Sequence, residues 1–278
     1  MNLKQTLKKA RQKKRAIGQF NFSSFEQLQG ILKAAQENDQ PIIIGTSSGE
    51  SHFLGLEQAR ALVDAGSKKY GVDAFLNLDH GKELDWVKKA VDAGYDAVHF
   101  DGTDLNFEEN IERTKEVVEY AHSSDVLVEG ELGYLTGKSA SHKGKIEIKK
   151  ENLTSPDQVR KFVEATGVDS LAVVIGNVHG VYAEMPKLDL QRLSDIEEQS
   201  SAFLVLHGGS GIPDKDIKRA IKKGIVKINV NTELRLAWKE SLTKALKKDS
   251  IKPYNLLPEV EQAVREKVNH KINLFNHE

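Results

Sequence analysis

FLNLDHG at residues 75–81, VVIGNVHG at 173–180 and LVLHGGSG at 204–211 each carry a histidine just past an apolar, strand-like run. The histidines are His80, His179 and His207. A neutral imidazole is the commonest metal ligand in proteins. Three protein ligands with a fourth position left open describe a catalytic zinc site rather than a structural one. The 278 residues include no cysteine, so a thiolate site is excluded. The absence of disulfides fits a reducing compartment.

Working outward from these runs, strand-like and helical patterns alternate along the whole chain. GQFNF precedes SFEQLQGILKAAQEN, PIIIGT precedes LEQARALVDAGSKKY, AFLNLD precedes ELDWVKKAVDAG, and DAVHF precedes NFEENIERTKEVVEYAH. DVLVEGEL leads through a long polar loop to SPDQVRKFVEATG, and DSLAVVIG through a second loop to LDLQRLSDIEEQ. AFLVLH then precedes PDKDIKRAIKKG, and IVKINV precedes TELRLAWKESLTKAL. Near-continuous apolar runs suit parallel strands covered by helices. Eight such units, with no Pro/Ser-rich linker, in a length close to the usual ~250 residues, point to an α/β fold: a closed (β/α)8 TIM barrel forming a single domain over 1–278. An open doubly wound sheet is the alternative.

The flanks read as helices. Residues 1–15 are basic, with an apolar stripe of Leu3, Leu7 and Ala10, and lack the apolar core of a signal peptide. A solvated lead-in helix is expected there, with an RNA-binding or membrane-surface patch as the weaker alternative. Residues 251–278 form an amphipathic C-terminal helical segment that could pack on the barrel or on a second subunit. Forty Lys+Arg balance 41 Asp+Glu, so no global field draws nucleic acid or membrane. No run is long enough to cross a bilayer.

Asn21, Ser47, Asp79, His80, Asp101, Glu129, Glu131, His179, His207, Asn229 and Asn231 all fall at or just beyond a strand's C-terminal end. A barrel gathers those ends around one mouth, where its active sites lie. His52, His122, His270 and His277 fall in loops or helices, His99 is expected to fill a barrel layer, and His142 lies in the long loop. Asp79 precedes His80, and strand neighbours point to opposite faces. The chain is already turning at a strand end, so both can reach the mouth. A carboxylate there can orient a ligand or act as general acid/base, and the residues leave both open. HGGSG (207–211) and NVNT (229–232), each ahead of a helix, look like the phosphate grip of such barrels.

LNLDHG, VEGELG, GNVHGVY, LHGGSGIP and KINVNTELR, taken together from about Asn21 to Trp238, resemble the class II, zinc-dependent ketose-bisphosphate aldolases, which include fructose-1,6-bisphosphate and tagatose-1,6-bisphosphate aldolases. The resemblance implies that His80, His179 and His207 hold a catalytic Zn2+ and that Asp79 exchanges a proton with the C4 hydroxyl. Asp101 and Glu131 match acidic positions that hold a second divalent ion or a relocated zinc. Gly180, Gly208, Ser210, Asn229, Asn231 and Thr232 match the grip on dihydroxyacetone phosphate. Gly176 and Val178 match a loop whose carbonyls hold Na+ or K+. Ser47 matches a position near the other phosphate, and Asn21 one near the metal. The implied activity is a lyase reaction of cytoplasmic carbohydrate metabolism, in glycolysis: reversible cleavage of fructose 1,6-bisphosphate to dihydroxyacetone phosphate and glyceraldehyde 3-phosphate through a zinc-stabilised enediolate. The implied assembly is a homodimer or homotetramer, acting on a small sugar phosphate with no nucleic-acid or membrane partner. A Schiff-base mechanism would need a strand lysine; Lys227 is the one candidate, and that reading leaves three histidines unexplained.

Two stretches depart from the family pattern. In the loop 132–154, expected to be a mobile active-site lid, Lys138, Ser139 and His142 stand where an acid is expected, and the first later acid is Glu147. In SIKPYNLLPEVEQAVREKV (250–268) no Arg occupies the expected position, and Lys252 is the nearest cation. These departures keep open another ketose phosphate, and a non-catalytic metal- and sugar-phosphate-binding relative. A different metal-dependent barrel lyase or hydrolase ranks below both, because an amidohydrolase would want His-x-His on strand one, which reads GQFNF. Fructose and tagatose bisphosphates differ only in C4 configuration, and nothing in the residues separates them.

Overall fold

A computed structural model describes residues 1–277; Glu278, the last residue of the expected C-terminal segment, lies outside the described residues. In chain order the elements are α1 (Leu3–Gln12), β1 (Ile17–Asn21), α2 (Phe25–Glu37), β2 (Ile42–Ser47), α3 (Ser48–Leu54), α4 (Leu56–Tyr70), β3 (Ala74–Gly81), α5 (Leu84–Asp92), β4 (Ala97–Phe100), α6 (Phe107–His122), β5 (Leu127–Leu132), β6 (Gly137–Lys145), α7 (Pro156–Thr166), β7 (Ser170–Val173), β8 (His179–Glu184), α8 (Leu190–Gln199), β9 (Phe203–Leu206), α9 (Asp214–Lys222), β10 (Ile225–Val230), α10 (Thr232–Ala245) and α11 (Pro253–Asn276).

Eight strands close into a parallel barrel in the order β1-β10-β9-β7-β5-β4-β3-β2. Each barrel strand is apolar on both faces because one faces the interior and the other the helical ring. Ile42 and Ile44 of β2 join the large cluster under the helices, whereas Ile43 between them points inward. The inward set forms layers. At the N-terminal end, Ile17, Ile43, Phe75, Ala97, Leu127, Phe203 and Val226 pack with Leu3, Leu7 and Ala10 of α1. The lead-in helix is therefore not merely a solvated appendage: its apolar stripe plugs the barrel floor, and its basic residues stay in water. The next layer is polar. Gln19, Asn77, Glu129 and Lys227 are all buried. Asn77 donates to Gln19 at 2.8 Å and Lys227 to Glu129 at 2.6 Å. Such groups persist inside a protein only when paired in this way.

Two features add to the eight-unit pattern. Helix α3 starts from a capping box in which Ser47 accepts from the Glu50 amide and Glu50 accepts from the Ser47 amide. The loop expected as a lid contains β6, which runs parallel to β8 in a separate two-stranded sheet. The C-terminal segment packs on its own barrel. Val260, Val264, Val268, Ile272 and Phe275 of α11 are buried, and Gly30 of α2 lets the helix pass so close that an added Cβ would stand 2.8 Å from the Glu261 carbonyl. No described helix is long and apolar enough to cross a membrane.

Asp169, just before β7, clamps the floor. It accepts from Lys4 of α1 at 2.8 Å, from His122 at 2.8 Å and from the Val128 amide at 3.0 Å. Burial alone would raise its pKa; Lys4, the Val128 amide and His122 outweigh that and hold it below the ordinary carboxylate value. Asp169→Ala leaves the buried Val128 amide without this partner, while the more exposed Lys4 and His122 can turn to water, and is expected to cost about 1–3 kcal/mol. Because the folded-state pKa is depressed, the carboxylate's contribution is present above the unfolded value near 4 and is lost as pH falls through the folded value. Urea unfolding of both proteins at pH 7 and pH 3.5 checks this. The gap between them should narrow at the lower pH, and a gap that does not change with pH would contradict the role given to the carboxylate.

Candidate active site

The mouth is organised around the end of β3. His80 has φ +54°, a left-handed conformation that a non-glycine side chain rarely adopts. This turn breaks the strand's alternation, so Asp79 and His80 both direct their side chains into the mouth. Asp79 is fixed from both sides: it accepts from Asn21 of β1 at 2.9 Å and from Asn229 of β10 at 3.0 Å. Burial would raise its pKa, but the charges of His80, His207 and Lys227 hold it far below the carboxylate range. Asp79 is an ionised acceptor.

The three histidines of the opening motifs converge. The His80 ring lies 4.9 Å from that of His179 and 4.7 Å from that of His207, centroid to centroid. Nδ1 of His80 meets Asp101 at 3.0 Å, and Nε2 of His207 meets Glu129 at 2.7 Å. The remaining nitrogens, His80 Nε2 and His207 Nδ1, face each other at 3.0 Å. His80 and His207 thus each have one nitrogen tied to a carboxylate and the other aimed at a common point, which is how metal-ligating histidines are oriented. Lys227 donates to the other oxygen of Glu129. It is the buried end of a Lys227–Glu129–His207 chain and not a free amine for Schiff-base chemistry.

The surrounding charges push the imidazoles in opposite directions. Burial lowers the pKa of His80, but Asp79, the Asp101 hydrogen bond and Glu131 push it up to about 9. His179 is pushed down to about 4 by burial and by the charges of His80 and His207. At pH 7 His179 is therefore neutral and His80 protonated, and a cation bound here would displace the His80 proton. Glu131 is held below its usual value despite burial, chiefly through His99 and the other two imidazoles. Its buried Oε2 has His99 Nε2 at 3.2 Å and His80 Nδ1 at 3.7 Å.

His99 belongs, with Asp79, His80 and His207, to one group of side chains whose potential ligand atoms all lie within 4.8 Å of one another. It is fully buried inside the barrel, as expected of a layer residue, and its Nδ1 accepts from the His80 amide at 3.1 Å. The neutral ring therefore carries its proton on Nε2, which faces Glu131 at 3.2 Å. His99 supports the turn at His80 and Glu131 rather than offering a lone pair. A second group, His80, Asp101 and Glu131, also lies within reach of one ion.

Opposite the histidines, β9 and β10 end in backbone donors. Gly208 has φ +62°, and a Cβ there would run into the carbonyl of Val178; Gly180 has φ +100° and lies equally close to the carbonyl of Lys138. Glycine at both positions lets the β8, β9 and β6 backbones approach one another. Gly176 packs against the carbonyl of Lys187. Helix α10 begins at Thr232, and its N-cap, Asn231, makes no side-chain cap bond. The amides of Glu233 and Leu234 are met by Ser210 Oγ at 3.2 Å and by the Asn231 carbonyl at 3.0 Å, which leaves the Thr232 amide as the one the start of α10 can offer an anion. Ser210 is buried at this end, with its Oγ accepting from the Glu233 amide at 3.2 Å.

These groups enclose a cavity of about 170 Å³. Ser47, Asp79, His80, His179 and His207 line it, as do Gly180, Gly208, Ser210, Asn229, Asn231 and Thr232. Asn21, Asp101 and Glu131 are buried behind the wall. Two liners were not read as site residues from the motifs. Ser139 of β6 meets Thr232 at 2.8 Å, and Arg235 projects from the first turn of α10. Arg235 lies three residues after Thr232, so helical periodicity placed it on the mouth side. Of the other loop candidates, Glu147 is exposed, and His142 hydrogen-bonds the Lys138 carbonyl and stacks on Tyr182 at 4.4 Å. Neither lines the cavity. A wider depression of about 990 Å³ lies at the barrel floor beside α1, far from these groups.

Comparison with known proteins agrees with the site. The family model described as class-II fructose-bisphosphate aldolase matches residues 1–278. The YdjI aldolase of Escherichia coli K12 is 34% identical, with a TM-score of 0.85 over 99% of this chain and 96% of that one. A candidate fructose-1,6-bisphosphate aldolase of Coccidioides immitis is 26% identical, with a TM-score of 0.85 over 99% and 96%. The fructose-bisphosphate aldolase of Campylobacter jejuni, 24% identical with a TM-score of 0.84 over 99% and 94%, shares the fold. The histidine-lined mouth of this barrel thus sits in a chain that belongs to the class II fructose-bisphosphate aldolase family, and the protein is an aldolase, a lyase acting on sugar phosphates.

Proposed function

We propose that the mouth is a zinc-dependent site that cleaves the C3–C4 bond of a ketose 1-phosphate, releasing dihydroxyacetone phosphate and an aldehyde. Fructose 1,6-bisphosphate is the first substrate to assay, and its C4 epimer tagatose 1,6-bisphosphate the second. The observation that carries this reading is the pair of imidazole nitrogens of His80 and His207, 3.0 Å apart and each backed by a carboxylate, beside the ionised Asp79.

The residues fit a divalent cation. Three imidazoles with carboxylates around them and no thiolate suit zinc, and the buried carboxylates Asp79, Asp101, Glu129 and Glu131 supply negative charge that a divalent cation offsets. His80, His179 and His207 would hold the ion, with Asp101 and Glu131 as the acidic positions for a second or displaced one. Bound there, the cation supplies Lewis-acid stabilisation of the charge that C–C cleavage leaves on the ketose oxygen. The carbonyls of Gly176 and Val178 would serve a monovalent cation near the phosphate loop.

The chain's own groups do the rest. The amides around Gly180, Gly208 and Ser210, with the N-terminus of α10, bind the 1-phosphate and fix the triose half. Asp79, locked by Asn21 and Asn229, takes the C4 hydroxyl proton in cleavage and returns it in condensation. Strand β6, carrying Ser139, covers the mouth and limits water.

A coupled assay for triose phosphate release tests the reading. Zinc-loaded protein should turn over, and EDTA treatment or His179→Ala should reduce turnover to background. Binding of dihydroxyacetone phosphate with no turnover on any ketose phosphate would point to a binding protein instead. Asp79→Asn should keep its zinc and lose about 10²–10⁴-fold in kcat; a variant that loses zinc in proportion to activity would make Asp79 a ligand support rather than a proton carrier. Glu129→Gln should weaken zinc affinity about 10–100-fold in competition with a chromophoric chelator. Unchanged affinity would remove Glu129 from that role.

A further inference from the structure

Arg235 is the only Lys or Arg among the residues that line the cavity, which also include Ser47 and Ser139. Its partner Glu50 stands on the aldehyde side, because the Asn21 side-chain amide donates both to Glu50 and to Asp79, the group that meets the C4 hydroxyl. Arg235 is already taken. Its guanidinium donates to Oε1 of Glu50 at 2.5 Å, and its second terminal nitrogen reaches Ser139 at 3.4 Å.

Glu50 is itself held firmly. It is only 6% exposed. Oε2 accepts from the Ser47 amide at 2.8 Å and from Asn21 at 2.9 Å, while Oε1 also accepts from Asn231 at 3.2 Å. The carboxylate cannot leave the site without abandoning four donors. A phosphate placed on this side would bring nearly two negative charges beside Glu50 and compete with it for one guanidinium.

We propose that the aldehyde half of the substrate is an unphosphorylated polyhydroxy aldehyde, and that Glu50 sets this preference by neutralising Arg235 from within the site. The substrate class is then a ketose 1-phosphate whose far end is uncharged. This rests on the aldolase reading above. In the condensation direction a proton leaves the hydroxymethyl carbon of dihydroxyacetone phosphate, that carbon bonds to the aldehyde carbon, and the aldehyde oxygen gains a proton. Nothing is oxidised or reduced overall, and no co-reactant is needed.

The test compares D-glyceraldehyde with D-glyceraldehyde 3-phosphate as partners for dihydroxyacetone phosphate, using the zinc-loaded protein and its Glu50→Gln variant. The wild type should favour the uncharged aldehyde in kcat/KM by at least about tenfold, and Glu50→Gln should shift the ratio at least about tenfold towards the phosphorylated one, mainly through its KM. Reading a ratio cancels any common effect of the substitution transmitted through Asn21. A wild type that prefers the phosphorylated aldehyde overturns the inference even if the variant fails to fold. A ratio that Glu50→Gln leaves unchanged overturns the role of Glu50. Consumption of triose phosphate with a preference for the phosphorylated aldehyde would sink this inference alone; no consumption with either aldehyde, together with no cleavage of any ketose phosphate, would sink the aldolase reading with it.

Discussion

The left-handed turn at His80 is the constraint on which the mouth depends. Without it, Asp79 and His80 would point to opposite faces of β3, and one would be lost to the helical ring. With it, a carboxylate and an imidazole from consecutive positions enter the same cavity. A non-glycine residue holds such a conformation only where its surroundings enforce it. Here they do: the His80 amide donates to His99, its carbonyl accepts from Ser48, and its ring is tied to Asp101.

That arrangement concentrates charge. Asp79, Asp101, Glu129 and Glu131 are all buried among His80, His99, His207 and Lys227. Each carboxylate is held below its usual pKa because its hydrogen bonds and its imidazole and lysine neighbours outweigh its desolvation. Such a cluster is costly to bury and is found where charge has work to do. The barrel pushes that cost to its upper end. The floor is apolar and plugged by α1, the middle layer is polar and paired except at Asn77 Oδ1, and the unpartnered atoms Asn229 Oδ1 and Asn231 Oδ1 lie at the mouth.

Much of this was legible in the chain. Parallel barrel strands are buried on both faces, so they stand out as apolar runs, and the residue that follows each run is delivered to the mouth by topology alone. That is why His80, His179 and His207 could be placed before any coordinates. The same logic could not show what happens across long sequence separations. The stripe of Leu3, Leu7 and Ala10 reads as an ordinary amphipathic face until the sheet closes and leaves an open floor to fill. GKSASHKGK has no strand pattern, because β6 is exposed and held to β8 by backbone pairing. Glu50 announced itself only as the last residue of an S-x-x-E cap; its pairing with Arg235, 185 positions away, is a product of barrel closure.

The central claim is that His80, His179 and His207 hold a divalent ion beside a phosphate gripped by the β9 and β10 ends. Anomalous diffraction at the zinc edge, from crystals grown with zinc and dihydroxyacetone phosphate, tests it most directly. The account predicts one strong peak bonded to all three histidines, with the ligand's phosphate against Gly208 and Ser210. A peak held only by Asp101 and Glu131, or a phosphate seated at Arg235, would contradict it.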